Sequence, residues 1–150
     1  MNIKFIFFAL ATLFVDVRGF IEFMDCGYTV ETVGVKLGSC ISTPCEISTD
    51  KIQEIEITVD GTQIPPTSTI VASAEFIQMG IHWSVPITPE DVCTSWSCPL
   101  EARPEYTFLG EIEFSGIHLK RPGMLQIEAF TDDPDIDPLF CIKIPVLIVN

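Results

Sequence analysis

A chain of 150 residues carrying 21 Asp and Glu against 8 Lys and Arg has a formal charge of −13. A surface of that sign repels nucleic-acid phosphate and anionic membrane at neutral pH, so neither is expected as a partner. At 47% hydrophobic, the chain still has apolar content enough for the core of one domain.

Residues 1–19, MNIKFIFFALATLFVDVRG, set Lys4 before an apolar run over 5–15, followed by Val17 and Gly19. This is the layout of a secretory signal peptide cleaved after Gly19, with the functional domain over 20–150. The run is too short for a transmembrane helix, which takes about 20 apolar residues, and no second run of spanning length follows. A secreted, soluble product is expected. Loss of Lys4, Asp16 and Arg18 leaves it 20 acidic side chains against 6 basic, a net of −14. The acidic residues are spread along the chain, which suits solubility better than a binding patch.

All six cysteines (Cys26, Cys40, Cys45, Cys93, Cys98, Cys141) follow the signal. An even count in a small exported chain reads as a disulfide framework. Zinc is disfavoured, because both close pairs are C-x4-C rather than C-x2-C and the only histidines, His82 and His118, stand apart from them. Six cysteines allow 15 pairings. The simplest nests two tight loops inside one long closure, and the residues alone leave the others open.

The rest of the chain alternates with period two, the signature of half-buried strands. Short candidates cover 30–37, 70–79, 81–86 and 125–131. Clearer ones are KIQEIEITVD, with Ile55, Ile57 and Val59 on one face, and PEYTFLGEIEF, with Tyr106, Phe108, Ile112 and Phe114 on one face. In LFCIKIPVLIV the shared face holds Phe140, Ile142, Ile144, Val146 and Ile148. Turn signals at Asp60-Gly61, Pro65-Pro66, Arg121-Pro122-Gly123 and Asp133-Pro134 separate them. Seven short antiparallel strands and no helical period predict an all-β, immunoglobulin-like sandwich.

Functional motifs in this stretch are few. TDDPDIDP at 131–138 alternates Asp133, Asp135 and Asp137, but it lacks the glycine of a calcium loop, and Ile142 and Lys143 stand where its closing glutamate would fall. There is no Gly-x-Ser-x-Gly and no HExxH, so nucleophilic and zinc catalysis have no foothold, and neither an enzyme nor a cofactor is expected. Trp83 reads as a buried strand residue and Trp96 as a loop residue packed on a cystine.

In order, Asp25-Cys26-Gly27, Cys-x4-Cys-Glu-Ile, Val-Pro-Ile, Cys-x4-Cys-Pro-Leu, Tyr-x-Phe-Leu and Leu139-Phe140-Cys141-Ile142-Lys143-Ile144-Pro145-Val146 resemble the ML domain. This is the MD-2-related lipid-recognition family, which includes the secreted sterol carrier of Niemann–Pick type C disease and the house-dust-mite group 2 allergens. The resemblance spans 20–150. It implies a two-sheet sandwich with an apolar cavity for one sterol or fatty-acid-like lipid. It also implies the disulfides Cys26–Cys141, Cys40–Cys45 and Cys93–Cys98. Lipid contact is implied for Val85, Tyr106, Ile112, Phe114, His118, Ile142 and Ile144, of which Val85, Tyr106, Phe114 and Ile144 also read as ordinary core positions.

The chain departs from the sterol carrier at three of these. Val85 stands where the carrier has an aromatic, Phe114 where it has a small valine, and His118 near its pocket tyrosine. No Asn-x-Ser/Thr sequon exists, since Asn2 and Asn150 are the only asparagines, so extracellular release is expected over glycan-directed delivery to the lysosomal lumen. The expected product is a monomeric carrier of a hydrophobic small molecule that hands its lipid to a transfer partner or receptor. The alternative is an extracellular adaptor presenting a microbial glycolipid to an innate-immune receptor, which would need a basic rim.

Overall fold

The computed structural model describes residues 18–117 and 121–149; most of the expected signal segment, His118 among the expected site residues, and Leu119, Lys120 and Asn150 lie outside them. The described residues form β1 (Met24–Asp25), β2 (Thr32–Leu37), β3 (Cys45–Ser48), β4 (Gln53–Asp60), β5 (Ile70–Gln78), β6 (Ile81–Val85), β7 (Ile87–Thr88), β8 (Glu105–Ile112), β9 (Pro122–Thr131) and β10 (Phe140–Val149). Two single 3-10 turns, Val92–Thr94 and Pro134–Ile136, are the helical elements among them.

The strands make two sheets. One runs β2-β4-β8-β7, and the other runs β1-β10-β9-β5-β6 with β3 added to β10. All pairings are antiparallel except that of β3 with β10. Alternation decides which face turns inward. Ile55, Ile57 and Val59 of β4 and Tyr106, Phe108 and Ile112 of β8 are buried, and so are Ile70, Ala72, Ala74 and Phe76 of β5. Leu125, Ile127 and Ala129 of β9 join them with five alternate residues of β10 from Phe140 to Ile148. The two inner faces close on a single apolar core, as expected of an aligned sandwich.

Three disulfides tie the framework. Cys26–Cys141 anchors the chain start to β10, Cys40–Cys45 closes the loop leading into β3, and Cys93–Cys98 closes the loop before β8. This is the pairing that the resemblance implies.

All seven expected strands are present, and three short ones join them. β1 and β7 have two residues each, too few for alternation to register. β3 is added as a parallel edge on β10, with Cys45 opposite Val146. β9 also begins earlier than expected. Pro122 and Gly123, read as a turn, pair with Leu147 and Val146. Proline is tolerated as the first residue of a strand, and Gly123 is required where it stands, since a Cβ there would lie 2.5 Å from the Phe76 ring. At the other end of the same region, β8 stops at Ile112, so Phe114 lies past the strand yet is fully buried.

Candidate functional site

One stretch of chain passes from the larger sheet to the smaller. β6 pairs with β5 in the larger sheet up to Val85, opposite Ala74. β7 pairs with β8 in the smaller sheet, with Ile87 opposite Ile112. Pro86 is the single residue between them. It has no N–H to give to either ladder, and its carbonyl accepts a 3.1 Å hydrogen bond from the Glu113 N–H. Val85 and Ile87 are both buried, so the crossing presents apolar side chains inward on each side.

A cavity lies on either side of the crossing. One, of about 330 Å³, is lined by Trp83, Ser84, Val85, Pro86, Glu113, Ser115, Gly116 and Ile117. The other, of about 380 Å³, runs along β5 from Val71 to Ala74 and reaches Val85, Ile87 and Glu90. Val85 and Ile117, which line the first, belong to the central core, so this cavity is a mouth that ends on core side chains. Two other concavities sit on outer faces. One, of about 540 Å³, includes Lys36, Glu54, Glu56, Leu109 and Glu111. The other, of about 630 Å³, includes Ile77, Met79, Arg121, Met124 and Pro145.

Of the expected contact residues, Val85 lines the mouth, while Ile112, Phe114, Ile142 and Ile144 lie in the core and are not among its lining residues. Val85 begins a row across the larger sheet that continues through Ala74 and Ile127 to Ile142. Ile144 lies in the next row, with Leu125, Phe76 and Trp83. Ile112 faces them from the smaller sheet, opposite Ile87, and Phe114 follows two residues on. All five are buried, four on the strands of the two sheets and Phe114 just past the end of β8.

Tyr106 is not part of that group. It sits at the far end of β8 opposite Val59, about 20 Å from Ile112 at the strand rise of roughly 3.4 Å per residue. Its hydroxyl donates to the Glu101 carbonyl at 2.6 Å and accepts from the Glu101 N–H at 3.0 Å. Its ring meets Trp96 at 4.9 Å and the Arg103 guanidinium at 3.9 Å. Trp96, expected on a loop over its cystine, is buried, and its indole N–H donates to the Thr107 carbonyl at 2.8 Å. Both aromatics therefore pin the Cys93–Cys98 loop to β8. Trp83 is half-buried at the mouth, 5.8 Å from Phe76.

The mouth contains residues that sequence reasoning did not single out: Ser84, Pro86, Glu113, Ser115, Gly116 and Ile117. The available signal was Val-Pro-Ile, a proline between two apolar residues, which marks an interrupted strand ladder. Ala72, Ala74 and Ala129 are also buried on the inner face beside the crossing. Small side chains at those points leave volume for the opposite sheet or for a guest.

The remaining polar clusters have structural work. Asp133 caps the second 3-10 turn, accepting from the Asp135 N–H at 3.0 Å, and Asp137 accepts from the Thr131 hydroxyl at 3.0 Å. Among the described residues, one trio of ligand-type side chains lies close enough to share an ion, Cys26, Glu128 and Cys141. Its two sulfurs are bonded to each other and offer no thiolate. Glu128 is held above the usual carboxylate range by burial and then by the nearby Glu75, against the opposing pull of Gln126 and Lys143. His82 pairs with Glu75 at 2.8 Å near the surface.

Comparison with known proteins adds three findings. A family profile described as the ML domain matches residues 21–148. The NPC intracellular cholesterol transporter 2 of Danio rerio is 26% identical over 133 residues, 87% of this chain and 86% of that protein. The crystal structure of a Niemann-Pick type C2 protein from the Japanese carpenter ant superposes with a TM-score of 0.70 at 16% identity, covering 85% of this chain and 99% of that one. At that identity the likeness is one of fold.

Proposed function

The chain belongs to the ML-domain family, and from that membership we propose a secreted, monomeric, non-enzymatic carrier holding one sterol or fatty-acid-like lipid between its two sheets. The observation that carries this reading is the mouth at the Pro86 crossing, a cavity ending on the core residues Val85 and Ile117. A lipid entering there meets inward faces made almost wholly of aliphatic and aromatic side chains. Removing roughly 300 Å² of hydrocarbon from water would contribute about 7 kcal/mol before the costs of ordering. Seating it requires the side chains around Val85, Ile112 and Phe114 to move apart, because a packed interior has no spare room.

The alternative, an adaptor for a phosphorylated glycolipid, needs cations at the rim. Among the described residues, none that lines the mouth is basic. The zebrafish relative carries cholesterol in its name, which supports a sterol as the first ligand to try. Release to the extracellular space accords with the expected signal segment and three disulfides. No described helix is long and apolar enough to cross a membrane.

The test is native mass spectrometry of the protein purified from its own source. A mass increment matching one neutral lipid per chain supports the carrier. Protein that is empty there and stays empty after incubation with sterols and fatty alcohols contradicts it.

A further inference from the structure

The mouth has a polar lip as well as an apolar floor. Among the described residues lining it, Glu113 is the charged one. The carboxylate is steadied at both ends of its residue. The Glu113 N–H donates to the Pro86 carbonyl across the opening at 3.1 Å, and the Ser115 hydroxyl donates to its Oε1 at 2.8 Å. Glu113 lies between two fully buried neighbours, Ile112 and Phe114, so it marks the boundary between the inner faces and solvent. Ser84 and Ser115 also line the rim among the described residues, and His118 and Lys120 fall outside them.

We propose that Glu113, positioned by Ser115, selects the head group of the bound lipid, accepting a hydroxyl or ammonium and rejecting a carboxylate, sulfate or phosphate. The inference rests on the reading that a lipid enters between the sheets. A tail drawn into the core leaves its head at the rim, because the inward faces offer the head nothing to hydrogen-bond and burying it unpaired is costly. At the rim the head meets the Glu113 carboxylate, an acceptor with no donor to give. A donor head gains a charge-assisted hydrogen bond. An anionic head faces like-charge repulsion a few Å away, screened by salt but not removed by it.

Two matched ligand sets test this at low ionic strength and neutral pH: cholesterol with its 3-amine and 3-sulfate, and hexadecanol with hexadecylamine and hexadecyl sulfate. Each is titrated into wild-type protein and into Glu113→Gln and Ser115→Ala variants, with occupancy read by native mass spectrometry. Glu113 is exposed, so the first variant is expected to fold. In the wild type, hydroxyl and amine heads should bind about tenfold more tightly than the sulfate, the scale of one charge contact at a surface. In Glu113→Gln that ratio should collapse toward unity, the amine losing most and the sulfate gaining, and Ser115→Ala should fall between. A wild type that prefers the sulfate, or an unchanged ratio in Glu113→Gln, overturns the role of Glu113 while leaving a carrier that binds lipid. Failure of every ligand to bind the wild type overturns the carrier reading and this inference with it.

Discussion

Phe114 bears the most weight among single residues. It is fully buried, lies two residues past the end of β8, and stands next to the lip of the mouth. Its ring fills closed core in the empty protein and has to move aside for a guest. Phe114→Ala is therefore expected to cost about 3–5 kcal/mol in the empty protein, as for a buried Phe→Ala change, and to raise lipid affinity, because a guest fills the space the ring leaves. Paired denaturant and lipid titrations on this variant check it. A full core-sized loss with unchanged affinity assigns Phe114 to ordinary packing. Tyr106 is the useful contrast. Its face matches Phe114 by alternation, yet its hydroxyl and ring are committed to Glu101, Trp96 and Arg103 at the other end of the strand.

At the scale of elements, the long closure from Cys26 to Cys141 spans 115 residues. In the chain-entropy model, a loop of about 100 residues is worth about 4.7 kcal/mol. Cys26→Ala with Cys141→Ala should therefore cost about 2–5 kcal/mol in equilibrium unfolding, the range seen for native disulfides of small secreted domains. A change under about 1 kcal/mol would show that β1 and β10 hold the chain start without it. Legibility differed among elements for physical reasons. β4, β8 and β10 bury one face more deeply than the other, so alternation alone found them, and with them the inward placement of Ile112, Ile142 and Ile144. β1 and β7 are too short to show a period. The crossing at Pro86 was hidden, because alternation through Val85 and Ile87 is the same whether the two share a sheet or not. Only their partners, Ala74 and Ile112, place them in different sheets. Glu113 and Ser115 escaped notice since a polar residue at a rim looks like any solvent-facing one until the opening is seen.

At the scale of the molecule, acidity has a pH consequence that one residue isolates. Glu128 holds its proton more readily in the folded protein than its ordinary value of 4.5 allows, chiefly through burial and then through Glu75. A raised carboxylate penalises the folded state when ionised. Its effect is to make the fold more stable as pH falls from above the raised value to below 4.5, because the folded form binds more protons in that window. Asp60 shifts the other way, held low by the Thr62 backbone and hydroxyl, so its support is lost only at pH below the ordinary value of 3.8. Melting temperatures of wild type and Glu128→Gln between neutral and mildly acidic pH check this. The wild type should gain on the variant as pH falls, and a constant difference between the two would contradict it.

A carrier of this kind holds its lipid between the sheets rather than on an outer face. A sterol carrying a diazirine at its tail, loaded into the full-length mature protein and photolysed, reports this directly when the labelled residues are mapped by mass spectrometry. The predicted labels fall on Val85, Ile112, Phe114, Ile142 and Ile144. Labels concentrated on Ile77, Met79 and Met124, or on Leu109 beside Lys36, would place the ligand in an outer groove and contradict the account.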